Sequence, residues 1–253
     1  MYDKSTGYNN EYNFVKLLNN KKVKELDPYS REMMYKLFYD VDSEDIIKCW
    51  KNHLLQKGDI FVKVRNRVAT ISIKMGAKNS LHVEHVHFFV EFLKENKIPL
   101  KIIRNYLEYH YGDGTLSGTG SYRISAQDYK VDNQYKIDEI NKYISNEDFV
   151  IKAIDRFILK GNNCDYRVTG LIYGTPENYM FLTSNQIIKL LLDNKDQYST
   201  GVHISSLFIQ PQARNLVYNP KFEKERHKIQ VKWFNIFDDL MKQEMKKEDN
   251  IHY

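Results

Sequence analysis

Gly58-Asp59-Ile60-Phe61-Val62-Lys63-Val64, the short Arg65-Asn66-Arg67, then Val68-Ala69-Thr70-Ile71-Ser72-Ile73-Lys74 is the stretch that decides the fold. Both arms are rich in β-branched and aromatic residues, and a compact polar triplet separates them, which predicts a β-hairpin. In an antiparallel pair, Asp59 at the start of the first arm meets Ser72 and Lys74 near the end of the second. Ser72 and Lys74 are two apart and share a face, while Ile71 and Ile73 face the other way. An acid and a lysine held together beside inward isoleucines is a costly arrangement unless it serves a purpose.

Working outward, apolar residues at helical spacing predict a first helix from Tyr8 to Asn19 and a second from Ser30 to Phe38. Ser43 as a cap, with Ile46, Ile47, Trp50 and Leu54 on one face, predicts a third to Leu55. Downstream, Ser80 is read as the N-cap of a helix running to about Asn96. Ile98 to Tyr109 is ambiguous between helix and strand. Residues 111 to 121 hold Gly112, Gly114, Gly118 and Gly120 and read as a flexible surface loop. The spacing is not G-x-G-x-x-G, because Ser117 stands at the third glycine's place. Helices are expected around Gln134–Tyr143 and Glu147–Leu159, with strands near Arg167–Tyr173 and Tyr179–Phe181. Thr183 and Gln186 form a capping box for a helix to about Asp193. Strands near Val202–Gln210 and His227–Phe234 precede a charged C-terminal helix. Helices flanking a mixed sheet define an α/β chain.

Composition narrows the class. The chain has 253 residues, 42% hydrophobic and 28% charged, enough to bury a core without disulfides or structural metal. No apolar run approaches the roughly 20 residues that cross a bilayer. The opening Met1-Tyr2-Asp3-Lys4 lacks an apolar export segment, and with only two distant cysteines, Cys49 and Cys164, the expectation is a reducing, cytoplasmic setting. The net charge of +5 suits a polyanionic partner.

The hairpin cluster has the groups that phosphodiester hydrolysis requires. A carboxylate offers hard oxygen to Mg²⁺. Metal activates water and offsets phosphate charge, and a neighbouring lysine orients that water and stabilises the transition state.

The segment Gly58 to Glu84 resembles the core hairpin and following helix of PD-(D/E)XK nucleases, the restriction-endonuclease-like superfamily. Asp59 matches the motif aspartate and Lys74 the motif lysine. Gly7, Glu11 and Leu18-Asn19 resemble that fold's first helix, which often contributes a glutamate to the metal site. Lys74-Met75-Gly76-Ala77-Lys78-Asn79-Ser80-Leu81-His82-Val83-Glu84 looks like the lysine, glycine turn and next helix of many such enzymes. The stretches 207–216 and 226–233 also look like members of this group. Two positions depart from the pattern. Gly58 replaces the usual proline, and Ser72 stands where the second carboxylate belongs. Some restriction enzymes carry serine there and take the acid from the following helix, which assigns that role to Glu84.

The resemblance therefore implies one restriction-endonuclease-like domain over residues 1–253, a mixed central sheet flanked by helices. The nuclease core would span about 8–110, with DNA-recognition and dimerisation elements at about 111–253. It implies a Mg²⁺-dependent endonuclease acting on double-stranded DNA as a homodimer, with Asp59, Glu84 and Glu11 around the metal and Lys74 and Ser72 beside them. If no acid replaces the one missing at Ser72, the chain is instead a DNA binder without cleavage. A third class, an interaction protein with incidental hairpin charges, stays open.

DNA contacts are expected from Lys78 and Asn79 after the hairpin, and from Arg214, Asn215, Arg226, Gln230 and Lys232. Gln230 and Lys232 alternate on one strand face, and amide-plus-cation sets suit base edges and phosphates. His82, His85 and His87 have metal-like spacing, but no third ligand lies on the face that His82 and His85 share, so phosphate contact or packing is preferred over zinc.

Overall fold

A computed structural model describes residues 4–53, 57–76, 80–161, 166–196, 199–212 and 220–249. In chain order the first elements are α1 (Lys4–Leu18), α2 (Pro28–Leu37), β1 (Ile47–Lys51), β2 (Ile60–Val64) and β3 (Arg67–Lys74). Next come β4 (Ser80–His85), α3 (Val86–Glu95), α4 (Leu100–Tyr111), α5 (Ala126–Ile144) and α6 (Glu147–Ile154). The rest are β5 (Gly170–Thr175), β6 (Asn178–Thr183), α7 (Ser184–Asp193), β7 (His203–Ile204), β8 (Leu207–Pro211), β9 (Lys228–Lys232) and α8 (Ile236–Asp249). A π-helical turn, Asp155–Lys160, follows α6.

The elements form two compact units, each discontinuous in sequence. The first comprises Met1–Asn79, Ile154–Leu190 and Phe237–Tyr253, the second Ser80–Ala153 and Leu191–Ile236.

The first unit is built on a five-stranded sheet of order β1-β2-β3-β5-β6, antiparallel except for the parallel β3–β5 pair. The predicted hairpin is present, with Ile60 opposite Ile71 and Val64 opposite Arg67. Ile60, Val62, Ile71 and Ile47 are fully buried and pack with Phe14 and Leu18 of α1 and Met33 and Met34 of α2. Burying each such side chain contributes about 1.5–3 kcal/mol. Asp27 starts α2 by accepting the Tyr29 and Ser30 amides at 3.0 and 2.9 Å, with Pro28 at the first helical position.

One expectation for this unit fails. The predicted helix from Ser43 to Leu55 is instead a turn followed by β1. Buried Ile47 and Cys49 alternate with exposed Lys48 and Trp50, a period of two that pairing with β2 enforces. Burial also pushes the Cys49 thiol up to about 12.

The second unit holds a four-stranded sheet, β4-β9-β8-β7, with α3, α4 and α5. Here the predicted Ser80–Asn96 helix is corrected: Ser80–His85 is strand β4, paired antiparallel with β9, and the helix begins only at Val86. Ser80 reads locally as a helix cap, although Leu81 and Val83 alternate with period two. The partner strand lies about 145 residues downstream and overrides that preference. The ambiguous stretch after Pro99 is helix α4. In the first unit, the Thr183–Gln186 capping box is present, with the Gln186 side chain accepting the Thr183 amide at 2.9 Å.

Candidate active site and nucleic-acid interface

Asp59 is held by backbone on both sides. Its N–H donates to the Ile71 carbonyl at 2.8 Å, and its carbonyl accepts the Asn52 N–H at 2.9 Å. The Asn52 amide also donates to the Gly58 carbonyl at 3.0 Å. Gly58 has φ +91°, and a Cβ there would collide with the Thr70 methyl. Proline, fixed near −65°, does not fit this backbone, so the departure from the usual motif is a local conformational necessity. Just upstream, the Lys57 ammonium donates to the Phe157 carbonyl of the π-helical turn at 2.8 Å, anchoring the approach to Asp59.

Strand pairing then brings together the residues singled out in the sequence. Oδ2 of Asp59 accepts the Ile73 N–H at 2.5 Å and the Ser72 hydroxyl at 3.1 Å, and the Lys74 ammonium lies 3.6 Å away. All of these converge on one oxygen. Among the described residues Oδ1 accepts no hydrogen bond. The Asp59 and Lys74 side chains keep 25% and 21% of their surface, so the pair is reachable from solvent. Tyr173, the β5 register partner of Lys74, donates its hydroxyl to the Gly76 carbonyl at 3.1 Å and steadies the chain leaving β3.

The other expected ligands sit differently. Glu11 on α1 forms an ion pair with Lys51 at 2.6 Å, at the end of β1. Glu84 lies in β4 rather than on a helix. Its side chain is 2% exposed, with Oε2 3.1 Å from His82 Nε2. Among the described residues no group of three or more His, Cys, Asp or Glu is arranged to hold a metal.

In the second unit, Lys228, Gln230 and Lys232 of β9 face outward between the fully buried Ile229 and Val231. Gln230 lies in register with Val83 of β4 and Gln210 of β8, and its amide donates to Ser80 Oγ at 2.9 Å. Lys232 lies over the Phe234 ring, 5.4 Å from its centroid. Gln210 was missed in the sequence, although its place between Ile209 and Pro211 carried the same period-two signal. Arg226 is buried, and its guanidinium donates to the Gly118 carbonyl at 2.8 Å and pairs with Glu223 at 3.0 Å. Beside β9, His85 caps α3, its Nδ1 accepting the His87 N–H at 3.1 Å, and stacks on His227 at 5.5 Å. Partial burial, then the nearby His227, His87 and Lys228, lower its pKa from 6.5. Lys78, Asn79, Arg214 and Asn215 lie outside the described residues.

The mixed sheet with its parallel β3–β5 step and flanking helices is a restriction-endonuclease-like fold. The chain is similar to the crystal structure of restriction endonuclease MspI in complex with its cognate DNA, with a TM-score of 0.58 at 11% identity over 92% of this chain and 93% of that one. No family model matches the sequence, and no curated protein does. Among the described residues no helix is long and apolar enough to cross a membrane.

Proposed function

We propose that this protein is a Mg²⁺-dependent endonuclease that hydrolyses phosphodiester bonds of double-stranded DNA, a sequence-specific enzyme of the type II restriction kind working as a homodimer in the cytoplasm. The observation that carries the reading is the Asp59 carboxylate, with Oδ2 engaged by Ser72, Ile73 and Lys74 and Oδ1 accepting no hydrogen bond among the described residues. That donor set fits Mg²⁺, which is commonly held through one or two carboxylates and completes its shell with water and substrate phosphate. Bound there, the ion would supply an activated water and neutralise charge on the phosphate.

The protein's own groups then have separate tasks. Ser72 and the Ile73 N–H fix the rotation of the Asp59 carboxylate, so that Oδ1 is presented without reorganisation. Lys74 orients the attacking water and stabilises charge developing on the phosphoryl oxygens. Glu11, fixed on α1 by Lys51, is assigned to the metal's surroundings, whereas Glu84, buried against His82 in β4, is assigned to the fold and not to the role vacated at Ser72. The outward residues of β9, Gln230 and Lys232, together with Arg214, Asn215, Lys78 and Asn79, are assigned to DNA, and the buried Arg226 to holding Gly118.

A catalytically degenerate DNA-binding protein is the second reading, favoured by Ser72 in place of a carboxylate. Incubation with plasmid DNA separates the two. Cutting that needs Mg²⁺ and stops with EDTA supports the enzyme. Retention of DNA without cutting under any divalent ion overturns it in favour of the binder.

A further inference from the structure

The glycine-rich segment after α4 is a loop, as its composition predicts, and its own side chains cross it with hydrogen bonds. Asp113 Oδ1 accepts the Thr115 N–H at 2.9 Å and the Thr115 hydroxyl at 2.8 Å, and Oδ2 accepts the Gly120 N–H at 3.1 Å. Thr115 Oγ1 in turn accepts the Gly118 and Thr119 amides at 3.0 and 3.2 Å. Buried Arg123 donates to the Tyr111 and His110 carbonyls at 2.6 and 2.8 Å, and Arg226 holds Gly118. The loop is thus a preformed wall, and with α4 and α5 it encloses a cleft of about 680 Å³. That volume falls within the range of small-ligand sites.

Of the three charged side chains lining this cleft, Arg104, Glu108 and Asp113, two are engaged by partners of their own. Glu108 is paired with Lys136 at 2.7 Å, and Asp113 is taken up by the three donors within its own loop. Arg104, exposed on the cleft wall, makes no hydrogen bond or ion pair among the described residues. An anionic group is its complement, and guanidinium matches phosphate in a bidentate fork. The cleft also presents Tyr122, a 61% exposed ring, where a flat π-system can stack. At Asn133 the α5 backbone departs from helix (φ −128°, ψ 20°), and its side-chain N–H donates to the Tyr129 carbonyl at 3.1 Å. This orientation leaves Asn133 Oδ1 to accept from a base amino group.

We infer that this cleft binds a nucleoside monophosphate unit, either free or as one residue of a nucleic-acid strand. Arg104 takes the phosphate, Tyr122 the face of the base and Asn133 its edge. The inference goes beyond the nuclease reading, and its test needs no cleavage, so the two can fail separately.

The test is calorimetry on the full chain in EDTA with dAMP, deoxyadenosine and inorganic phosphate. Arg104→Gln and Tyr122→Leu are compared after thermal melts confirm folding, which the exposure of both side chains favours. Saturable dAMP binding is expected, tighter than phosphate or nucleoside alone. Arg104→Gln should weaken dAMP about 10-fold while sparing the nucleoside, as loss of a charge-assisted contact does. Tyr122→Leu should weaken dAMP and nucleoside alike. Competition of dAMP with a single-stranded oligonucleotide assigns the site to strands, and its absence assigns it to free nucleotide; both uphold the inference. No saturable binding, or equal binding by both variants, overturns it.

Discussion

Each of the two sheets carries an acid beside a basic group. In the five-stranded sheet, Asp59 and Lys74 meet across the β2–β3 hairpin with about a quarter and a fifth of their side-chain surface open. In the four-stranded sheet, His82 and Glu84 share strand β4, and their side chains keep only 9% and 2%. Exposure separates their roles. An open carboxylate with one oxygen fixed and one free can meet a cation and a substrate. A carboxylate desolvated against a histidine has its energy invested in the fold, where loss of a partner is expensive.

The sharpest way to break this contrast is at the open pair. Asp59→Asn and Lys74→Ala should each lower single-turnover cleavage by roughly 10²–10³-fold or more, with the melting temperature little changed. Cleavage within a few-fold of wild type in either variant would remove the active-site assignment.

The buried pair should respond in the opposite sense. Glu84→Gln is expected to cost about 1–3 kcal/mol of stability, several degrees in melting temperature, while folded protein keeps its cleavage rate. Severe loss of rate, with weakened Mg²⁺ affinity by calorimetry and unchanged melting, would return Glu84 to the metal. Ser72→Glu in a Glu84→Ala background should then restore activity.

A finer division lies within the second unit. Lys232→Ala should weaken DNA binding evenly across sequences and reduce the salt slope by about 1. Gln230→Ala should relax discrimination at one base position by about 1–3 kcal/mol. Arg226→Ala, which removes the buried clamp on Gly118, should instead lower the melting temperature. If Lys232→Ala and Gln230→Ala both bind DNA like wild type, DNA recognition does not use this strand.

The smallest expected effect is a pH dependence at His85. Its folded pKa is held below 6.5, first by burial and then by His227, His87 and Lys228, so the unfolded chain binds the proton first. Its contribution to stability is therefore intact above the unfolded value, is lost as pH falls through 6.5 toward the lowered folded value, and is flat below that. His85→Asn should show a shallower fall in melting temperature between about pH 7.5 and 5.5. An identical fall in both proteins would rule out His85 as its source.

The sequence by itself determined the β2–β3 hairpin, the α1 and α2 faces that cover it, and the meeting of Asp59 with Ser72 and Lys74. Those depend on period-two patterning and a short connection, which act over a few residues. It did not determine β1 or β4. Ile47 and Trp50 sit at helical spacing, and Ser80 reads as a helix cap, but the choice fell to partners elsewhere in the chain: β2 for β1, and β9, about 145 residues away, for β4. The same distance hid the fate of Glu84. A helix start would have left its carboxylate open, whereas pairing with β9 turned it inward against His82. Only tertiary structure supplied the long-range hold on the glycine-rich segment, because Arg226, which donates to Gly118, comes from 108 residues downstream. Composition registers the freedom of glycine, but long-range donors decide whether that freedom survives folding.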